Sequence, residues 1–258
     1  MARDKNFSSF PALDLLVWDL DGTLIDSGPD LVASVNAALT AMGRAPLPEA
    51  VVARYVGDGA ARLMQRALGL DVPLDSSPDS PLAPRLEAAA DEAEAQAARG
   101  LDLFLAHYAE HKLDHTVLYP GVSAGLEALA AAGYQMAVLT NKPVRPSREI
   151  VDGLGLGGRF CAVYGGDSFQ CKKPDPVGLH TLLAERGVDA ARAAMIGDSA
   201  VDVRTGRAAG VWTWGVSYGF APAAMRAAAP DWIASDFTEL CRHLLQARTA
   251  PPAPRSGG

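Results

Sequence analysis

Apolar and polar positions change their period twice along this chain. Near the start, Leu15-Leu16-Val17-Trp18 is an unbroken apolar run with no turn former, which predicts a buried strand. After Asp26 the period lengthens. Leu31, Val35, Leu39 and Met42 recur at helical spacing behind Ser27, a residue able to cap, until Gly43 stops the run. Val51 to Val56 predicts a short helix broken at Gly57-Asp58-Gly59, and Leu63, Ala67 and Leu68 mark another that ends at Gly69. The stretch 71–84 carries four prolines among Asp and Ser and predicts a loop. Strong helix formers fill Arg85 to Arg99, and Leu101, Phe104, Leu105 and Tyr108 continue as an amphipathic stripe. No convincing strand falls between Ser27 and about His115, so this block reads as a helical unit inserted into something else.

From Pro120 onward strands and helices alternate. The strands are Gln135 to Thr140, the extended CAVYGG at 161–166, Ala193 to Gly197, Val211 to Val216 and a short Asp231 to Ala234. The helices are Val122 to Ala132, Pro146 to Leu154, Val177 to Arg186, Ser199 to Ala209 and Phe237 to Ala247. Such alternation predicts an α/β fold whose parallel sheet is covered on both faces. In sheets of that kind ligands gather at the carboxyl ends of the strands, which is where polar residues accumulate here.

Asp19 and Asp21 close the first strand and, two residues apart in extended chain, point the same way. Two carboxylates so close repel, and burying them without compensation is costly. A hard divalent cation resolves this, and Mg²⁺ prefers oxygen ligands. Taken alone, the pair fits a surface strand end where two acids coincide equally well. Thr140-Asn141 alone is a strand exit, Gly197-Asp198-Ser199 a helix cap, and Lys172-Lys173 a solvated basic pair. Together and in this order, with Asp202 beyond, they supply what phosphoryl transfer requires: a nucleophile, charge neutralisation and positioning.

Composition narrows the class without naming it. The chain has 258 residues, enough for one or two domains, and its 49% hydrophobic and 21% charged residues are ordinary for a globular protein. A net charge of −7 without a basic run excludes broad nucleic-acid or anionic-membrane binding. Cys161, Cys171 and Cys241 are unclustered, which indicates neither a disulfide framework nor a zinc site. The first residues lack an apolar signal-like region and no long apolar run follows, so a cytoplasmic location is the expectation. The Pro/Gly-rich end TAPPAPRSGG reads as a disordered tail. His107, His111 and His115 share a helical spacing able to grip a transition metal, but with no carboxylate-rich motif beside them a packed or solvated helix face fits better. Trp212 and Trp214 alternate in a strand as sheet-face residues.

Four ordered motifs, DLDGT (Asp19 to Thr23), LTN (Leu139 to Asn141), KKPDP (Lys172 to Pro176) and GDSAVD (Gly197 to Asp202), resemble those of the haloacid-dehalogenase-like phosphohydrolases. Finer matches in DLDGTLIDSGPDL, YVGDGAARLMQRAL, LYPGV, LTNKP and VSYGF resemble the branch acting on 2-phosphoglycolate. The resemblance implies a Rossmann-like core over 1–26 and 116–248, a helical cap over 27–115 and a tail over 249–258. It implies Asp19 as nucleophile and Asp21 as general acid and then base. Mg²⁺ would be held by Asp19, the Asp21 backbone carbonyl and Asp198, with Asp202 behind them. Thr140 and Asn141 would bind phosphate oxygens, and Lys173, favoured over Lys172 by the Lys-Pro-x-Pro spacing, would neutralise charge.

Gly57-Asp58-Gly59 with Arg62 would meet the rest of the substrate, although the triplet is on its own a plain helix break. Asp21 speaks for phosphate chemistry, because the dehalogenase branch lacks a second motif aspartate. A sugar phosphate, an amino-sugar 6-phosphate or pyrophosphate would suit the same chemistry. No feature of a phosphomutase stands out, and a non-catalytic regulator would be free to lose one of the motif residues. The partner expected is a small phosphate ester, with monomer and homodimer both open.

Overall fold

The structure, a computed structural model, describes residues 12–70 and 83–249; most of the proline-rich loop expected at 71–84, and the tail from 250, lie outside them. The first strand, β1, is Leu15–Trp18, followed by the short β2 at Ile25–Asp26. Helices α1 (Gly28–Ala41), α2 (Glu49–Val52), α3 (Ala60–Ala67) and α4 (Ala83–His111) come next, before β3 at Val117–Leu118. The remainder alternates: α5 (Val122–Ala131), β4 (Gln135–Leu139), α6 (Val144–Gly153), β5 (Ala162–Tyr164), α7 (Val177–Arg186) and β6 (Ala193–Gly197). It closes with α8 (Ala200–Ala208), β7 (Trp212–Val216), α9 (Pro222–Ala227), β8 (Trp232–Ala234) and α10 (Phe237–Thr249).

The chain divides into two compact units, one of Met1–Asp26 with Val117–Gly258 and the other of Ser27–Thr116. In the first, six parallel strands lie in the order β5-β4-β1-β6-β7-β8. The α/β class expected from the alternating pattern is the one observed. β1 is central and every one of its residues is fully buried, which is why its sequence is apolar throughout rather than alternating. Leu15 and Val17 face a core with Leu139, Leu179, Leu182 and Met195. On the other face Trp18 meets Phe237 of α10, ring centroids 5.3 Å apart. From β1 the chain leads through β4 to β5 on one side and through β6 to β8 on the other. The switch point therefore falls at the carboxyl ends of β1 and β6, where open α/β sheets place ligands.

The second unit is helical, with no strand among its described residues. The ring of His107 on α4 reaches Ser34 of α1 at 3.0 Å, and His107 stacks on His111. His107 thus packs within the helical unit, His111 is part exposed and pairs with Asp114, and His115 lies exposed past the end of α4 rather than on the expected helix; none belongs to a metal-competent group among the described residues. The segments expected as a helical run and a separate stripe form the single helix α4, whose Pro84 sits in the first turn where a missing N–H costs nothing. Two further details differ from expectation. Ser27 makes no side-chain cap bond, and the short helix before Gly57 is a turn of α-helix followed by a 3₁₀ turn at Ala53–Tyr55.

Pairing of β2 with β3, Ile25 opposite Leu118 and antiparallel, closes the first unit where the insertion leaves and returns. No periodicity in two-residue strands foretells that ribbon.

Candidate active site

Asp19 lies one residue past β1, its N–H donating to the carbonyl of Ile196 on β6 at 2.8 Å. Asp198 and Ser199 follow β6 directly, so the two strands at the switch point each deliver an aspartate. Ser199 caps α8 with a reciprocal box: its N–H and hydroxyl donate to Asp202 Oδ2 at 3.1 and 2.6 Å, and its hydroxyl accepts from the Asp202 N–H. The box turns the other Asp202 oxygen, Oδ1, toward Lys173, whose ammonium donates to it at 2.6 Å. The same ammonium lies 2.9 Å from Asp19 Oδ1 and pairs with it. Lys173 is buried and its neighbour Lys172 exposed. Gly22 adopts φ +78°, and a Cβ there would lie 2.3 Å from Asp198 Oδ2. Only glycine lets the loop after β1 approach the second aspartate so closely.

The electrostatics follow from burial. Asp19 is pushed up to about 6, first by burial; Lys173 pulls it back while Asp202 and Asp21 push it further up. Asp198 is raised well above the carboxylate range by burial and then by Asp19 and Asp202, against the backbone N–H groups of Phe220 and Ala221. Burial works against the charge on Lys173, but Asp19 and Asp202 outweigh it and hold the ammonium above its ordinary value. Two buried carboxylates with raised pKa values are a site short of positive charge. Asp19, Asp198 and Asp202 present oxygens within 4.8 Å of one another and form a buried group able to hold a metal ion. The all-carboxylate donor set fits a hard divalent cation. Both oxygens of Asp202 are already engaged, by Lys173 and by Ser199.

Asp21 is drawn elsewhere than the acid cluster alone would indicate. Lys142 donates to both of its carboxylate oxygens, at 2.9 and 3.0 Å, from a buried position just past β4. Sequence reasoning passed over Lys142, although it is the lysine of the LTNKP stretch that carries the resemblance. A charged residue between a strand exit and a proline was the available signal. Thr140 and Asn141 are buried beside it; the Thr140 hydroxyl accepts from the Lys142 N–H at 3.3 Å, and the Asn141 side chain donates to the Lys173 carbonyl at 3.0 Å. Asn141 thereby ties the loop bearing Lys142 to the loop bearing Lys173.

The residues expected to select substrate belong to the helical unit and are described there. Asp58 pairs with Arg66 at 2.6 Å, an arginine not singled out from sequence, while Arg62 donates to Gln65 at 3.2 Å. Gly57 and Gly59 both take positive φ, at 118° and 92°, which the turn between α2 and α3 requires.

This arrangement has the layout of one hydrolase class. A family model described as haloacid dehalogenase-like hydrolase matches residues 13–210, and the chain belongs to that family. Among individual relatives, a phosphoglycolate phosphatase from Rhodospirillum rubrum is 43% identical over 205 residues, 80% of each chain. One from Psychrobacter arcticus is 38% identical over 237 residues, covering 92% of this chain and 97% of its own. The crystal structure of a predicted phosphoglycolate phosphatase from Haemophilus somnus 129PT superposes with a TM-score of 0.76 at 31% identity, over 89% of this chain and 97% of that one.

Proposed function

We propose that the protein is a Mg²⁺-dependent phosphomonoesterase that hydrolyses 2-phosphoglycolate to glycolate and phosphate through an aspartyl-phosphate. The observation that carries the reading is the buried cluster at the switch point: Asp19 with Lys173 on one of its oxygens, and Asp198 and Asp202 alongside. Relatives named phosphoglycolate phosphatase, about 40% identical across most of the chain, support the substrate.

In this reading an Asp19 oxygen attacks phosphorus while the bond to the leaving glycolate oxygen breaks, and Asp21 gives that oxygen a proton. Water then attacks the phosphoryl group on Asp19, Asp21 takes its proton, and Asp19 is released with inorganic phosphate. Lys173 neutralises Asp19 and the transferring phosphoryl oxygens. Thr140 and Asn141 hold those oxygens, and Lys142 holds the Asp21 carboxylate. The Asp19 carboxylate, the Asp21 backbone carbonyl and Asp198 would hold Mg²⁺, which when bound supplies positive charge to offset the carboxylates and the phosphoryl oxygens. The helical unit over 27–115 serves as a cap, with Asp58 and Arg62 meeting the part of the substrate that differs between esters.

Three free cysteines, two of them exposed, are consistent with a reducing cytoplasm. No helix among the described residues is long and apolar enough to cross a membrane.

Phosphate release from 2-phosphoglycolate and a panel of sugar phosphates, amino-sugar 6-phosphates and pyrophosphate, with and without Mg²⁺, tests the reading. The highest kcat/KM should fall on 2-phosphoglycolate and vanish on chelation. A higher value for another ester would move the substrate; no Mg²⁺-dependent release from any would end the proposal.

A further inference from the structure

The segment after β7, Ser217-Tyr218-Gly219-Phe220-Ala221, has no task in the mechanism above, yet it is built against both strand ends of the site. The Phe220 N–H donates to Asp198 Oδ2 at 2.6 Å, and the Ala221 N–H reaches the same oxygen at 3.4 Å. Gly219 packs so tightly that a Cβ there would lie 2.3 Å from the Gly22 carbonyl oxygen and 2.4 Å from Asp198 Cβ. The Tyr218 hydroxyl donates to the Thr23 carbonyl at 2.8 Å, and its ring lies 4.7 Å from that of Tyr119. At the segment's start, the Ser217 N–H is anchored on the Ala234 carbonyl of β8 at 3.0 Å. One short stretch of chain thus grips Asp198 on one side and the Gly22–Thr23 loop that follows Asp19 on the other.

We infer that residues 218–221 are positioning residues that set the affinity of the site for its divalent cation. The two amides occupy one oxygen of Asp198 and so fix the carboxylate's rotation, directing the other oxygen to a cation. Tyr218 and Gly219 fix the distance between the Asp198 turn and the loop that carries the other two expected ligands, Asp19 and the Asp21 carbonyl. Mg²⁺ demands near-ideal octahedral geometry, so a clamp on ligand spacing acts on affinity directly. Partners one shell out from a metal are worth roughly 10–100-fold in affinity. The inference rests on the reading of Asp19 and Asp198 as cation ligands.

The test is Mg²⁺ binding to the full chain without substrate, by calorimetry and by Mn²⁺ competition followed by electron paramagnetic resonance. Gly219→Ala should weaken binding by about 10–100-fold, and Tyr218→Phe, which adds no atom, by a smaller factor. Tyr134→Phe serves as control: its hydroxyl donates to the Leu244 carbonyl at 2.7 Å, and Tyr134 sits at the amino-terminal end of β4, opposite the carboxyl ends of the strands where the site lies. It should lower the melting temperature of the metal-free protein and leave the Kd unchanged. Wild-type Kd in both Gly219→Ala and Tyr218→Phe would overturn the inference, because a packing role alone moves melting temperature and not affinity. If Gly219→Ala does not fold, Tyr218→Phe decides. Asp198→Asn separates the layers: wild-type affinity there sinks the ligand reading itself and the clamp with it, whereas lost affinity there with wild-type affinity in the clamp variants sinks the clamp alone.

Discussion

Burial does most to lift Asp19 to about 6, so in the metal-free protein its negative charge works against folding at neutral pH. Across about pH 4 to 6 the folded protein holds a proton on Asp19 that the unfolded chain has released. Stability from this group therefore falls as pH rises through that window and is level above it. Asp19→Asn should lose turnover yet melt higher than the wild type at pH 7.5 without metal, with the gain shrinking to nothing near pH 4. An equal or lower melting temperature at pH 7.5 would contradict the electrostatic account.

Asp21 and Lys142 make the second residue-scale case. Asp21→Asn should cost about 10²–10⁴-fold in kcat on an alkyl phosphate and much less on p-nitrophenyl phosphate, whose leaving group departs without a proton. Lys142→Met leaves Asp21 in place but loosens its carboxylate, so it should show the same leaving-group bias with a smaller loss. A uniform loss on both esters would instead make Lys142 a general support of the loop after β4.

At the scale of elements, the most informative contact joins the start of α1 to the exit of the helical unit. Asp30 is buried and accepts from the His115 N–H, the Thr116 N–H at 2.8 Å and the Thr116 hydroxyl at 2.7 Å. Asp30→Ala leaves those donors without their acceptor in a buried place, which should cost about 3 kcal/mol in urea unfolding. A loss below about 1 kcal/mol would mean that water replaces the carboxylate. α8 shows the same economy, since its Ser199–Asp202 cap also aims Asp202 at Lys173. Ser199→Ala should therefore cost more than the ~1 kcal/mol of an ordinary cap.

For the whole molecule, a ligand that binds only the folded state stabilises it by mass action, about 2.7 kcal/mol at a concentration 100 times Kd. Saturating Mg²⁺ should raise the melting temperature of the wild type and not of Asp198→Asn; a shift of equal size in both would place the ion elsewhere. The two-unit division adds a prediction about selection. Asp58→Asn, which breaks the pair with Arg66, should lower kcat/KM for 2-phosphoglycolate more than for p-nitrophenyl phosphate. Equal losses would make the pair a support of the helical unit alone.

Strands, helices and the helical insertion were legible in the sequence because each is a local matter. A buried parallel strand such as β1 must be apolar along its whole length, and helices must repeat their apolar positions every three to four residues. Asp19 and Asp198 were legible for a related reason: they follow the ends of β1 and β6 directly, so short motifs mark them. Contacts across large sequence separations were not. That Lys142 pairs with Asp21 and that the 218–221 segment grips Asp198 depend on which loops the strand order brings side by side. No local pattern encodes that order. It follows from packing the whole sheet, and packing also made Lys173 the buried lysine and left Lys172 in solvent.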